Sequence, residues 1–271
     1  MVDVSEFKFN SYPDGHKHIV SDKDLHGDET LSVSIRSFDD LFKVAQIKAI
    51  HPELRCLYVK YMLAGRCDRR FSPGEAMDLA IVCEFINGLR FNGVTVLKPH
   101  SPVMLQLLHN ACEYDVTNRL LNIAREDIGE DERICYVAPD EGASRWINEL
   151  GPPALSPVIC GSKKRDASGK VLGVEFKRKK LFKNEIEDSL NVNINHEHFI
   201  IVDDLCDGGA TFTTIADEIH SRAPNAKVYL IVTHAIFSKG LIPFDGKIER
   251  IYCTNSFPHN QQSPLIHQIE I

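Results

Sequence analysis

No stretch of the sequence approaches the ~18 consecutive apolar residues that a bilayer span requires. The first residues, MVDVSEFKFNSYPDGHKH, hold no apolar segment of the kind a secretory leader carries. The expectation is a cytoplasmic protein with no membrane partner. Cys56, Cys67, Cys83, Cys112, Cys135, Cys160, Cys206 and Cys253 stand singly. Without a C-x-x-C pair or a short Cys/His spacing, they offer no zinc site and read as reduced core thiols. Positive charge is not in excess either: 31 Lys+Arg face 38 Asp+Glu, a formal net charge of -7. Such a chain repels polyanions, so nucleic acid is not an expected partner. Low-complexity tracts and solenoid-length repeats are missing as well. What remains is 271 residues, 43% hydrophobic and 25% charged, enough for a substantial core in one large or two modest domains.

Short apolar runs with strand-like composition recur: LSVSI from Leu31, CLYVKYM from Cys56, VTVL from Val94, ICYVA from Ile134, FIIV from Phe199, VYLIV from Val228 and IERIYC from Ile248. Helix-period segments lie between most of them. Phe38 to Ile50 places Leu41, Val44 and Ala45 on one face behind a candidate N-cap, Ser37, with Asp39 and Asp40 in the first turn. Further helices are expected over Gly74–Leu89, Val103–Ala111, Ala143–Leu150 and Ala210–Ser221. Strands alternating with helices predict an α/β fold whose mostly parallel sheets are covered by helices. Dense charge near Glu126 to Arg133 suggests a boundary, giving domains 1–130 and 131–271. GSKKRDASGK, from Gly161, reads as a flexible basic loop tipped into a β-hairpin.

The sharpest chemical signal is HFIIVDDLCDGGATFTTIADEI, from His198. An apolar strand, Phe199 to Val202, ends in Asp203 and Asp204, and a loop from Asp207 through Gly208, Gly209, Ala210 and Thr211 enters a helix. Backbone N–H groups of a glycine loop and a helix start donate to phosphate oxygens, and the helix dipole favours their charge. Carboxylates at the end of a buried strand accept from vicinal hydroxyls or hold a divalent cation. The pattern points to a phosphate cradle beside a sugar site.

VDDLCDGGAT resembles the phosphoribosyl-pyrophosphate motif of type I phosphoribosyltransferase folds, and specifically the ribose-phosphate loop of the ribose-phosphate pyrophosphokinases, or phosphoribosyl pyrophosphate synthetases. YMLAGRCDRR, from Tyr61, is similar to that family's ATP-binding stretch. Pro99-His100-Ser101 resembles its D-L-H segment, and APDEG, from Ala138, its S-P-D-x-G segment. Lys163-Lys164-Arg165 resembles the K-x-R of its catalytic loop, and YPDGH, from Tyr12, its F-x-D-G-E. These stretches follow the family order across residues 7 to 260.

The resemblance implies two phosphoribosyltransferase-type domains, with the ATP site in 1–130 and the ribose-phosphate site and catalytic loop in 131–271. It implies diphosphoryl transfer from Mg-ATP to a ribose 1-hydroxyl with release of AMP. Lys163 and Arg165 would be catalytic. Tyr12, Asp14, Arg66, Asp68 and His100 would bind ATP, with Tyr12 and Asp14 reaching into a neighbouring subunit of a homo-oligomer. Asp203, Asp204, Asp207, Gly208, Gly209, Ala210 and Thr211 would bind the ribose phosphate, and His100 and Asp140 would hold Mg²⁺. Two alternatives from other classes remain: a phosphoribosyltransferase, and an inactive synthetase-associated regulatory protein.

Departures from the family pattern cluster at these sites. Gly208 stands where a threonine hydroxyl would meet the 5-phosphate, Cys67 replaces a glutamine, His16 replaces the glutamate of F-x-D-G-E, and Lys98 replaces the D-L-H aspartate beside His100. Set against the resemblance, the family's opening strand–helix and closing helix are not expected within these 271 residues. GRCDRR, KPHSPV, KKRDASGK and CDGGATF resemble the pyrophosphokinase relatives found in phages and associated with NAD salvage. The implied acceptor is therefore either ribose 5-phosphate or the longer ADP-ribose, and the space opened at Gly208 is expected to suit the latter.

Overall fold

The computed structural model describes residues 1–129, 133–149, 158–165, 171–179, 186–187, 197–259 and 261–271. These form two compact units, Met1–Asp115 with Ser256–Pro258, and Val116–Asn255 with His259–Ile271.

The first unit holds strands β1 (Val2–Asp3), β2 (Phe9–Ser11), β3 (Lys17–Ile19), β4 (Thr30–Ile35), β5 (Cys56–Met62), β6 (Gly93–Leu97) and β7 (Ala111–Tyr114), with helices α1 (Phe38–Ile50), α2 (Asp78–Gly88) and α3 (Val103–Leu107). Five strands pair in parallel in the order β1-β4-β5-β6-β7, while β2 and β3 make a separate antiparallel hairpin. Leu31, Val33 and Ile35 of β4, Leu57 and Val59 of β5, and Val94 and Val96 of β6 are buried against Leu41, Val44 and Ile47 of α1 and Leu79, Val82 and Ile86 of α2 in one core. The spacing of the helical residues, i, i+3 and i+6 or i+7, is that of a single helix face. Ser37 caps α1 as expected, its hydroxyl accepting from the Asp40 N–H. Two expected helices are shorter. α2 begins at Asp78 rather than Gly74, because Gly74 sits at φ +91°, outside helical space. α3 stops at Leu107, and a turn with Asn110 at φ 53° leads into β7.

The second unit contains α4 (Thr117–Ile128), β8 (Ile134–Ala138), α5 (Glu141–Glu149), β9 (Val158–Arg165), β10 (Val171–Lys179), β11 (Ile186–Glu187), β12 (His198–Cys206), α6 (Ala210–Arg222), β13 (Lys227–Ala235), β14 (Arg250–Thr254) and β15 (Ile266–Ile269). Its sheet runs β11-β10-β9-β8-β12-β13-β14-β15, and β9 through β15 by way of β8 are parallel neighbours except where β10 turns back on β9 and β11 on β10. The α/β architecture and mostly parallel sheets are those the alternation of periods predicts. Phe199 and Ile201 of β12, Leu230 and Val232 of β13, and Phe212, Ile215 and Ile219 of α6 share the second core.

The thiols divide. Cys83, Cys135, Cys160, Cys206 and Cys253 are buried, whereas Cys56, Cys67 and Cys112 are exposed, so the core-thiol reading fails for those three. Burial pushes Cys83 up to about 11 and Cys253 up to about 12. No helix among the described residues is long and apolar enough to cross a membrane.

Candidate active site

In the second unit, β8 is followed through α5 by β9 on one side of it, and the chain then places β12 on its other side. Strand order reverses there, and in open parallel sheets the crevice outside the carboxyl ends of such a strand pair is where ligands bind. Two of the groups singled out from sequence lie at this edge. Asp140 follows β8, and the acid pair lies near the end of β12.

The strand carrying the acids is longer than expected. β12 continues to Cys206, pairing with β13 as far as Cys206↔Ala235, but its ladder to β8 ends at Ile201↔Val137. Asp203 and Asp204 therefore sit past the end of β8, inside a strand held on one flank. Asp204 is buried and Asp203 half-buried. Burial is the main cause that pushes the Asp203 carboxyl well above the usual carboxylate range, followed by the Asp204 carboxylate, with Asp140 adding to it. The Asp204 N–H, donating to Asp203 Oδ1 at 2.9 Å, opposes the shift. Negative charge is thus concentrated where a set of hydroxyl donors or a cation would relieve it.

Beyond the acids the chain turns into α6. Gly209 is the N-cap residue, at φ 78°, and offers no side chain to the first-turn N–H groups. The first helical bond runs from Thr213 N–H to Gly209 C=O at 3.0 Å. The N–H groups of Ala210, Thr211 and Phe212 precede it, and an uncapped helix start of this kind is an anion cradle. A β-carbon at Gly209 would lie 2.3 Å from Phe244 Cζ, so glycine is required both by φ and by space. At Gly208 a β-carbon would meet Cδ, Cε and Cγ of Lys239 at 3.2, 3.3 and 3.4 Å. The space expected to open at Gly208 is occupied by the lysine stem. Lys239 was not visible from sequence, since it lies on the loop after β13 and meets the glycine only because β12 and β13 are neighbours.

Asp140 accepts the Ala143 N–H on Oδ1 at 3.0 Å and so caps α5. Lys163 and Arg165 lie in β9, paired with Val174 and Val171 of β10, so the expected loop residues belong to a hairpin strand. Residues 166–170, on which part of the basic-loop expectation falls, are outside the described residues, as is the segment 150–157.

In the first unit, the adjacent ends of β5 and β6 bring Asp68 and His100 together. Arg69 donates to Asp68 through Nε to Oδ1 at 2.9 Å and through an Nη to Oδ2 at 3.0 Å. The Arg69 guanidinium beside Asp68 is the first cause holding its carboxyl below the ordinary value, with Ser101 and His100 adding to it. Arg66 is exposed on the turn after β5, and Cys67 is tied into that turn by its N–H to Ala64 C=O at 2.8 Å. Lys98 does not lend free charge to His100. It is buried in ion pairs with Asp115 at 2.7 Å and Glu113 at 3.4 Å. Tyr12 and Asp14 form the turn of the β2–β3 hairpin, where Asp14 accepts the His16 N–H at 3.0 Å and Tyr12 stacks on His16 with ring centroids 5.8 Å apart.

The chain is 26% identical over 210 residues to a ribose-phosphate pyrophosphokinase of Saccharolobus solfataricus, an alignment covering 74% of this chain and 66% of that protein, just under two thirds of its length. It is 23% identical over 268 residues to a ribose-phosphate pyrophosphokinase of Thermococcus kodakarensis, covering 94% of this chain and 87% of the relative. At these identities the chain is similar to ribose-phosphate pyrophosphokinases. A crystal structure of phosphoribosylpyrophosphate synthetase from Mycobacterium smegmatis superposes with a TM-score of 0.78, at 16% identity, over 97% of this chain and 85% of that one, and so shares the fold. No family model matches.

Carboxylates at the ends of β8 and β12 are of the donor type that suits a hard divalent cation. His100 belongs to the first unit and Asp140 to the second. Among the described residues no group of three or more His, Cys, Asp or Glu side chains is arranged to hold a metal ion. Mg²⁺ is commonly held by one or two carboxylates together with substrate phosphates and waters, which needs no such cage. The raised Asp203 carboxyl marks a place where added positive charge is favourable.

Proposed function

We propose that the protein is an ATP-dependent pyrophosphokinase that transfers the β,γ-diphosphoryl group of ATP to the 1-hydroxyl of a ribose carrying a 5-phosphate. The observation that carries this reading is the run from β12 into α6: two acids beyond the end of β8, then a glycine turn and an uncapped helix start. Its support is the naming of the relatives.

In this reading Asp203 and Asp204 accept hydrogen bonds from the ribose 2- and 3-hydroxyls, which orients the 1-hydroxyl. Asp207, Gly208, Gly209, Ala210 and Thr211 surround the 5-phosphate, with the N–H groups of the α6 start donating. Arg66, Asp68 and His100 hold ATP, and Tyr12 and Asp14 serve a neighbouring copy of the chain. The 1-hydroxyl oxygen bonds to the β-phosphorus as the bond from that phosphorus to the α,β-bridging oxygen breaks. AMP leaves with the bridging oxygen, and the hydroxyl proton passes to solvent. Lys163 and Arg165 offset the charge that builds on the transferring group. His100 of the first unit and Asp140 of the second are each candidate Mg²⁺ ligands, and the cation would supply charge neutralisation on the triphosphate.

Free ribose 5-phosphate is the acceptor the site suits better. Its support is the stem of Lys239, which lies 3.2–3.4 Å from where a β-carbon at Gly208 would stand and so crowds that side of the loop. A mass-spectrometric assay with Mg-ATP and each acceptor in turn tests this. AMP together with a diphosphate gain on ribose 5-phosphate is expected. A gain on ADP-ribose alone would replace the acceptor, and AMP with neither would overturn the reading.

A further inference from the structure

The loop after β13 is fixed against the candidate acceptor loop. The N–H groups of Ile236 and Phe237 donate to Cys206 C=O, at 2.8 and 3.4 Å, and the Gly240 N–H donates to Phe237 C=O at 2.8 Å. Phe237 is buried edge-on against Phe244, with centroids 6.0 Å apart at 77°. Phe244 is also the ring that lies over Gly209. One aromatic pair therefore anchors both loops, and the stem of Lys239 is laid across the side of Gly208 on which a side chain would stand.

Lys239 itself is exposed, and no ion pair engages its ammonium among the described residues. A flexible, solvated lysine normally gains little by lying along a glycine, and losing its rotamer freedom is costly. What the placement does supply is a full positive charge beside a cradle whose nearby side chains, Asp203, Asp204 and Asp207, are acidic. A phosphate dianion entering such a cradle is held more tightly where a cation joins the backbone donors.

Resting on the pyrophosphokinase reading, we infer that Lys239 is a specificity-determining residue for the acceptor, its ammonium binding the 5-phosphate in place of the hydroxyl that Gly208 lacks. Glycine 208 and lysine 239 then act as one unit. A side chain at 208 displaces the lysine, and loss of the lysine leaves the loop with backbone donors alone.

The test uses the full chain and titrates ribose 5-phosphate calorimetrically, with ADP-ribose as a second probe, alongside steady-state kinetics. Lys239→Gln is expected to weaken ribose 5-phosphate binding and raise its KM about tenfold, the size of one charge-assisted hydrogen bond. The KM for ATP and kcat should stay within about twofold, and Lys239→Arg should restore most of the loss. Gly208→Thr alone should weaken acceptor binding, whereas Lys239→Ala combined with Gly208→Thr should bind better than either single variant, the non-additivity expected of side chains that compete for one space. Acceptor binding in Lys239→Gln within twofold of the unaltered chain would overturn the inference while leaving the function standing. A tenfold loss of acceptor binding in a chain that never releases AMP would uphold the lysine and overturn the pyrophosphokinase reading. An unaltered chain that binds neither acceptor would overturn both.

Discussion

Phe244 leaves no room for a methyl group at Gly209, whose φ of 78° also disfavours any side chain. Gly209→Ala should therefore destabilise the protein by about 2–3 kcal/mol, read as a fall in the denaturation midpoint at constant slope. Asp203 is expected to behave in the opposite sense. Its folded-state carboxyl is held well above the ordinary value of 3.8, so the folded chain binds that proton more tightly than the unfolded one. The stability linked to the protonated group is full below the ordinary value and is lost as pH rises through the raised folded value. At neutral pH, without divalent cation, Asp203→Asn should raise stability by about 1 kcal/mol and abolish acceptor binding, the exchange expected where function holds like charges together. A destabilised Asp203→Asn protein would contradict the assignment. At this scale the run Asp203 to Thr211 was legible in the sequence because its residues are contiguous. Lys239 was not, since its place over Gly208 depends on which strands pair. Lys98 was misjudged for the same reason, because Asp115 and Glu113 reach it only across the β6–β7 pairing.

Elements whose residues keep one period were readable, and α1 shows why. Ser37 and Asp40 cap it reciprocally enough to fix its start: the Asp40 N–H donates to Ser37 Oγ at 3.2 Å, and Asp40 Oδ2 accepts from the Arg36 N–H at 3.0 Å and from the Ser37 hydroxyl at 2.9 Å. Burial alone would raise the Asp40 carboxyl, but these donors and the Lys43 ammonium hold it below the ordinary value. Its contribution is present above the unfolded-state value and lost as pH falls through the folded one. Asp40→Ala should cost about 1–2 kcal/mol at pH 7, a difference that shrinks toward pH 3 in urea titrations. α4 is not among the helices expected from sequence, although Thr117, Leu120, Leu121 and Ala124 are buried at helical spacing. Its charged end drew the reading toward a boundary near 126–133, whereas the helix packs with the second unit. The β9–β10 hairpin was anticipated, but Lys163 and Arg165 were expected in its loop and lie in strand β9. Alanine at either position should lower turnover at least a hundredfold with ATP binding changed less than about threefold. Equal loss of both would remove these residues from the transition state.

Across the whole molecule, each unit carries some of its candidate residues at or past the carboxyl ends of parallel strands: Arg66, Asp68 and His100 after β5 and β6 in the first, Asp140 after β8 and the acid pair near the end of β12 in the second. Alternation of strand and helix periods gave that architecture away, because a parallel sheet buried on both faces leaves continuous apolar runs such as Phe199–Val202. The activity depends on two phosphoryl groups leaving ATP together, so it is tested most directly by ³¹P NMR of Mg-ATP with ribose 5-phosphate and the unaltered protein. The account predicts AMP and a coupled diphosphate pair on the sugar's first carbon, formed in equal amounts. Appearance of ADP or inorganic phosphate in place of that pair, or no change in the ATP resonances, would contradict it.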